Sequence, residues 1–173
     1  MATYKKGFKK QSSEQMLLKV IVGIISAVML IVAVAFIYDL AVSSHNYDEF
    51  SNITKFSDVL ELENTDGNAL SNYVVYIYQN SCTACEEARK DVLKLAHNIN
   101  KSEEVFFLAK YDDITDKSSA SEAQLIDLIG GTQIVTPTLV VFVDGEFEEA
   151  VTGVTDVISL LQTIKAGTYE PFH

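Results

Sequence analysis

A chain of 173 residues has room for one ordinary domain and an appendage, and with 48% of its residues hydrophobic it can bury a core without covalent staples. Its 24 Asp and Glu against 13 Lys and Arg give a formal charge of −11, and phosphate would repel such a surface, which excludes nucleic acid as a partner. The sequence carries no Gly-rich phosphate loop and no evident cluster of His with carboxylates, so nothing supports nucleotide, kinase or hydrolase chemistry.

Residues 1–19 form a basic segment. Lys5, Lys6, Lys9, Lys10 and Lys19 face only Glu14, a net of +4, which leaves the other residues at −15. From Val20 to Tyr38 the run VIVGIISAVMLIVAVAFIY carries no charge. As a helix it would be about 28 Å long, close to the hydrocarbon thickness of a bilayer. A cleaved signal peptide has a shorter apolar region, of about 7 to 15 residues. The small residues Ala33 and Ala35 lie inside the run, and no cysteine follows it to take a lipid. The reading is a retained transmembrane helix over 20–38, with Lys19 snorkelling at one end and Asp39 closing the other. Lysines beside a span stay cytoplasmic, so residues 39–173 are expected outside, where disulfides persist.

Residues 39–52, DLAVSSHNYDEFSN, read as a polar tether. Ile53, Phe56, Val59, Leu60 and Glu63 lie near helical spacing and predict a short amphipathic helix over 53–63, ended by the turn residues 64–68. YVVYIYQ (73–79) is β-branched and aromatic throughout and apolar on both faces, as a central covered strand should be. After the cysteines, Ala88, Val92, Leu95, Ala96 and Ile99 mark one face of a helix, with Ser81 as its expected N-cap. A second buried strand follows at 104–112, then a polar loop at 113–121 and a short helix at 122–131 that ends in glycines. Residues 137–153 read as a hairpin about Asp144-Gly145, and 154–167 as an amphipathic helix with Val157, Leu160, Leu161 and Ile164 inward. Residues 168–173 are a tail. A β-α-β start followed by a hairpin and a helix calls for a mixed sheet with helices on both faces, an α/β fold.

The chemistry centres on Cys82 and Cys85, the only cysteines in the chain. Structural zinc needs four protein ligands and catalytic zinc three. The imidazoles available are His45 in the tether, His97 and the terminal His173. His97 follows Cys85 by 12 residues on one helix, about 18 Å along its axis, and cannot close on the pair. Two thiolates could hold a soft monovalent metal ion, but no further soft ligand is evident nearby. A bridge across so few residues restrains little of the unfolded chain, so a static staple is a poor use of it. Redox chemistry is the favoured reading, because the spacing sets two sulfurs across the first turn of a helix. There, unpaired N–H groups and the positive dipole end stabilise a thiolate.

Two separated motifs resemble the thioredoxin family: YVVYIYQNSCTAC, and IVTPTLVVFVDGEF at 134–147. FLAKYDD between them is similar to the family's middle strand. The resemblance covers about residues 53–166. It implies a thioredoxin-like fold, a mixed sheet of about four to five strands flanked by helices, over 53–167. By position Cys82 resembles the family nucleophile and Cys85 the resolving cysteine. Pro137 resembles its cis-proline, and Thr136 the residue whose backbone meets the substrate chain. No cofactor or metal is implied.

The departures are as informative. Ser81 stands where reducing members carry Trp, and Thr83-Ala84 where they carry Gly-Pro. Tyr76 takes the place of a buried Asp that helps move protons off the second thiol, which leaves Lys110, the lysine that would partner it, without that carboxylate. Glu86 and Glu87 bring negative charge to the first helical turn and oppose a Cys82 thiolate. The resemblance implies a membrane-anchored thiol-disulfide oxidoreductase, acting on thiols or disulfides of exported proteins or peptides and served by a membrane or extracytoplasmic redox partner. IYQNSCTAC is similar to the IYxxxCxxC pattern of accessory proteins of bacteriocin export in Gram-positive bacteria. The alternative is a thioredoxin-fold binding module for a secretion system with no redox turnover.

Overall fold

The computed structural model describes residues 13–42, 45–63 and 67–172. The basic residues 1–12, the first part of the expected turn (64–66) and His173 lie outside the described residues, as do the side chains of Glu14 and Asp39. The chain divides into two compact units, residues 1–43 and 44–173.

The first unit is one helix, α1 (Ser13–Val42). Its stretch Gln15–Ile37 is 23 residues long, apolar, and wholly exposed. That stretch is about 34 Å of helix, enough to cross a hydrocarbon layer. Length and composition suit a membrane span and a signal sequence alike. The helix runs past the expected 20–38 at both ends, since Gln15, Met16, Leu17 and Lys19 are all good helix formers.

The second unit is built on a five-stranded mixed sheet in the order β1-β3-β2-β4-β5. The strands are β1 (Asn52–Ile53), β2 (Tyr73–Tyr78), β3 (Phe106–Lys110), β4 (Thr138–Val143) and β5 (Glu146–Thr152). β3 runs parallel to both β1 and β2, while β4 is antiparallel to β2 and to β5. These directions follow from the connections. Helix α3 (Thr83–Ile99) carries the chain from β2 back to the start of β3, as a parallel pair requires. Asp144 and Gly145 join β4 to β5 with φ of +52° and +78°, the left-handed pair that a two-residue hairpin needs and that Asp-Gly supplies.

Every residue of β2 is buried, and alternate side chains feed opposite faces. Val74, Tyr76 and Tyr78 join Ala88, Val92 and Ala96 of α3 and Leu161 of α5 (Val154–Lys165). Tyr73, Val75 and Ile77 join Phe56 and Val59 of α2 (Phe56–Leu60) and Leu125 of α4 (Ala120–Leu128). The predicted strands and the hairpin are therefore present, and the sheet is covered on both sides.

Three expectations change. The helix expected over 53–63 shrinks to α2. Ile53 instead pairs with Ala109 in the edge strand, and the Asp116 carboxylate accepts from Phe56 N (2.7 Å) and Ser57 N (3.1 Å), which sets the helix start. The polar loop at 113–121 thus supplies a cap from a distance. The segment 45–52, read as tether, packs on the domain. Tyr47–Glu49 is a 3-10 turn, and its three-residue spacing puts Tyr47 and Phe50 on one side. Tyr47 stacks on Tyr78 at 4.1 Å, and Phe50 meets Phe106 edge to face at 5.6 Å. The tail also packs. Tyr169 is buried, donates its hydroxyl to Glu149 at 2.7 Å, and meets Phe172 edge to face.

Candidate functional site

β2 delivers the chain to a tight turn at 79–82. Cys82 N–H donates to Gln79 O (3.3 Å), and Asn80 N–H donates to the Asp112 carboxylate beyond β3 (2.9 Å). The N-cap of α3 is then Cys82, not Ser81. Cys82 has extended backbone, and its sulfur takes the Cys85 N–H at 3.0 Å. The sulfur does what a Ser or Asp oxygen does at an ordinary helix start, so Ser81 is left outside the cap and exposed. Thr83 is exposed and Ala84 half-buried in the first turn.

Cys82 and Cys85 are joined by a disulfide with their Cα atoms 5.2 Å apart. The two sulfurs differ in access. Cys82 is half-buried at the surface, whereas Cys85 is 2% exposed and packs in the core beneath α3. When the bond opens, the outer sulfur sits at a helix N-terminus among unpaired N–H groups, which favour it as a thiolate. Glu86 opposes this from the first turn of α3. Arg89, 3.5 Å from Glu86, offsets part of that charge, weakly because both are well exposed.

The second motif reaches the sulfurs through the sheet. Ile77 of β2 pairs with Thr138 of β4, which brings the loop before β4 alongside Cys82. The Thr136–Pro137 peptide bond is cis, and Thr136 O lies 3.3 Å from Cys82 Sγ. Pro137 is buried, and its carbonyl accepts from Gly153 N–H at 2.9 Å. Gly153 has φ of +90°, which side chains rarely tolerate, so this brace calls for glycine. Thr138 Oγ1 donates to Val135 O and closes the turn. Val135 itself is 52% exposed, the one large apolar side chain so exposed outside α1 among the described residues.

A shallow pocket of about 190 Å³ opens beside the disulfide, with Tyr47, Tyr78, Cys82, Cys85, Glu86 and Arg89 in its wall. The Arg89 guanidinium lies 5.3 Å from the centre of the Tyr47 ring and also donates to Asn46 Oδ1 at 3.2 Å. Burial raises the Tyr47 phenol to about 12, with Arg89 pulling it down and Glu86 pushing it up. Burial likewise raises Tyr78 to about 12. Neither phenol ionises near neutrality.

Tyr76 is fully buried. Its hydroxyl finds no partner among the described residues, and burial holds the phenol far above its ordinary range. Lys110 turns to Asp113 at 3.0 Å, an ion pair on the adjoining turn. Tyr47, Arg89, Asp112 and Val135 belong to this region and were not singled out from the sequence. The Tyr47–Phe50 spacing was a signal for the first. Asp112 and Arg89 carried none, because their partners lie far along the chain.

The residues that could hold a metal are elsewhere. His45 and His97 meet each other and Glu49, so the fold does assemble a His–carboxylate cluster that the linear sequence did not show.

No family model matches the chain, and no curated protein sequence matches it. The solved structures similar to it include thioredoxins. The oxidised mitochondrial thioredoxin 3 of Saccharomyces cerevisiae is 16% identical with a TM-score of 0.47, over 69% of this chain and 97% of that one. Thioredoxin O2 of Arabidopsis thaliana, also oxidised, is 19% identical with a TM-score of 0.45, over 73% and 99%. The thioredoxin of Fasciola hepatica is 18% identical with a TM-score of 0.45, over 67% and 97%. At these levels the likeness concerns the fold, which stands on the strand order and directions described above.

Proposed function

We propose that this protein is a membrane-tethered thiol-disulfide oxidoreductase acting on exported proteins or peptides. The observation that carries the reading is the Cys82–Cys85 disulfide at the start of α3, with the accessible sulfur beside Thr136 O and the cis Thr136–Pro137 bond. In the oxidising direction a substrate thiolate attacks Cys82 Sγ. The Cys82–Cys85 bond breaks, a mixed disulfide forms on Cys82, and Cys85 leaves as a thiolate that takes up a proton. A second substrate thiolate then attacks the substrate sulfur of that mixed disulfide. Substrate leaves with the new disulfide, and both enzyme cysteines are left reduced. The reducing direction runs the same steps backwards, Cys82 attacking and Cys85 resolving. In either direction an electron partner, membrane-bound or extracytoplasmic, must reset the pair.

Thr136 offers backbone groups to the substrate chain, and exposed Val135 offers it an apolar contact. Ser81, Thr83, Ala84 and Glu86 tune the potential from around the sulfurs, and Lys110 from the end of β3. Helix α1 would hold the domain at the membrane, with the basic N-terminus cytoplasmic and the domain outside. Anchoring raises the enzyme's effective concentration near a secretion route. The likeness of IYQNSCTAC to the bacteriocin-export accessory pattern makes a small disulfide-containing peptide, exported by a Gram-positive bacterium, the substrate class to try first.

Substrate trapping tests the reading. Cys85→Ala should accumulate mixed disulfides through Cys82 that dithiothreitol releases. If no such adduct forms while a partner still binds without a covalent link, the domain is a binding module with no redox turnover. The reduction potential of the pair then decides direction, a value near the reducing end indicating reductase or isomerase work.

A further inference from the structure

At the opposite end of α3 from the cysteines, a second cluster joins two parts of the chain that are distant in sequence. His97 lies in the last helical turn, and its ring stacks on that of His45, with centroids 4.1 Å apart and 18° between the planes. His45 Nδ1 is 2.7 Å from Glu49 Oε2, and Glu49 Oε1 accepts from Asn46 N–H at 2.9 Å. One ligand atom from each of His45, Glu49 and His97 lies within 4.8 Å of the other two. The Asn46 N–H, and after it His45, hold the Glu49 carboxyl below its usual range, so it is an anion at neutral pH.

We propose that His45, Glu49 and His97 form a binding site for a divalent transition-metal ion of the zinc class. Two imidazole nitrogens and one carboxylate oxygen are the donor set that such borderline ions take, whereas calcium and magnesium ask for six or more oxygens. Three protein ligands leave a fourth position for water. In a tetrahedral shell with bonds near 2.1 Å, neighbouring donor atoms stand about 3.4 Å apart. The His45 Nδ1–Glu49 Oε2 pair, at 2.7 Å, would open slightly to admit the ion, and the His97 ring would swing out of its stack on His45 so that its lone pair meets the same ion, a change of rotamer that exposed Glu49 and His97 allow. The C-terminal end of a helix, where His97 stands, favours positive charge.

Two of the ligands sit on the arm 45–50, and that arm is already placed. Tyr47 stacks on Tyr78, Phe50 is buried, and Arg89 reaches Asn46. The ligands are thus brought near one another before any ion arrives, which lowers the ordering cost of binding. A bound ion would pin the arm to α3. Tyr47, which stands between two of the ligands in sequence, is also in the wall of the cysteine pocket. The site needs no redox turnover and stands apart from the oxidoreductase reading.

The test uses the full chain in detergent micelles, purified without a histidine tag and kept oxidised so that no thiol competes. Calorimetric titration with Zn²⁺ should show one equivalent bound. His97→Ala and Glu49→Gln should each weaken binding by more than about tenfold, the effect expected even for loss of an outer partner of a ligand. In the unaltered chain zinc should shift the imidazole NMR signals of His45 and His97 and slow amide exchange across 45–50. The proposal is overturned if no equivalent of zinc binds. It is equally overturned if the variants bind as tightly as the parent, or if zinc binds while both imidazole signals stay in place.

Discussion

The two ends of helix α3 carry chemistry assembled in opposite ways. At the N-terminal end, Cys82 and Cys85 lie one turn apart, and the cap, the dipole and the disulfide are all local to four residues. At the C-terminal end, His97 has no ligand neighbour in sequence and gains His45 and Glu49 only because Tyr47 and Phe50 fasten the arm onto the sheet and α3. In a site of the first kind helix geometry sets the two sulfurs, and the sheet then brings Asp112 and the Thr136–Pro137 loop to them. A site of the second kind depends on tertiary packing and should fail when the packing does. The arm is the contrast made physical, since it forms part of the cysteine pocket at Tyr47 and part of the histidine cluster on either side.

Cys82→Ser gives the largest effect and touches one end alone. Thiol-disulfide turnover, followed with a model disulfide protein, should fall by more than about a thousandfold, because no sulfur remains at the exposed position to carry the mixed disulfide. Stability should change far less. A loop this short contributes about 2 kcal/mol at most by the chain-entropy account. An active Cys82→Ser protein would break the assignment of Cys82 as the attacking sulfur.

Phe50→Ala should act in the reverse manner. Phe50 is 9% exposed and lies against Phe106, so its truncation should cost about 3 kcal/mol, read as a lower urea midpoint in tyrosine fluorescence. Loosening the arm should also weaken zinc binding, while the Cys82–Cys85 bond still forms. If Phe50→Ala left stability unchanged, residues 45–52 would be the free tether that their polar composition suggested.

Alkaline titration probes Tyr73 and Tyr78, which β2 sends to opposite faces of the sheet. Burial raises Tyr73 and Tyr78 from 10.0 to about 12. In the unfolded chain these phenols ionise near their ordinary value, so above it the unfolded state holds fewer protons than the folded one. The stability they contribute is complete below about pH 10 and is lost between about 10 and 12, at about 1.4 kcal/mol per pH unit for each. Absorbance at 295 nm should show both ionising only with unfolding. Ionisation near pH 10 with the fold intact would mean that these phenols are open to water.

The same contrast explains what could be read from the sequence. The strands at 73–79 and 104–112, the Asp144-Gly145 hairpin and the cysteine turn were legible, since each depends on a pattern within about ten residues. The arm was not. Tyr47 and Phe50 sit among serines, an asparagine and acids, and only the hollow beside Tyr78 and Phe106 makes them core. Ser81 was the reasonable cap by residue type, but disulfide geometry gave the position to the sulfur of Cys82. His97 was rightly denied to Cys85 by the length of the helix, and the same argument hid His45, whose position depends on the packing of the arm. Asp116 at the start of α2 and Asp112 at the cysteine turn are caps supplied from far along the chain, which no local rule exposes.

Tyr76→Phe should give the smallest effect and is the finest test of the cysteine end. The hydroxyl is buried in the core that also contains Cys85, without a partner among the described residues. A buried donor with no acceptor is a cost carried by the folded state, so removing it should leave stability unchanged or raise it by up to about 1 kcal/mol. A phenol held far above neutrality also cannot act as a base for the thiol as a carboxylate could. The pH dependence of the second step, release of the mixed disulfide by Cys85, should therefore be the same in Tyr76→Phe as in the parent. A loss of more than about 1 kcal/mol, or a shifted profile, would mean that the hydroxyl shares a water with the buried thiol and passes its proton. In that case the N-terminal end of α3 would depend on a β2 hydroxyl as well as on Asp112 and the Thr136–Pro137 loop, and the contrast between the two ends would narrow.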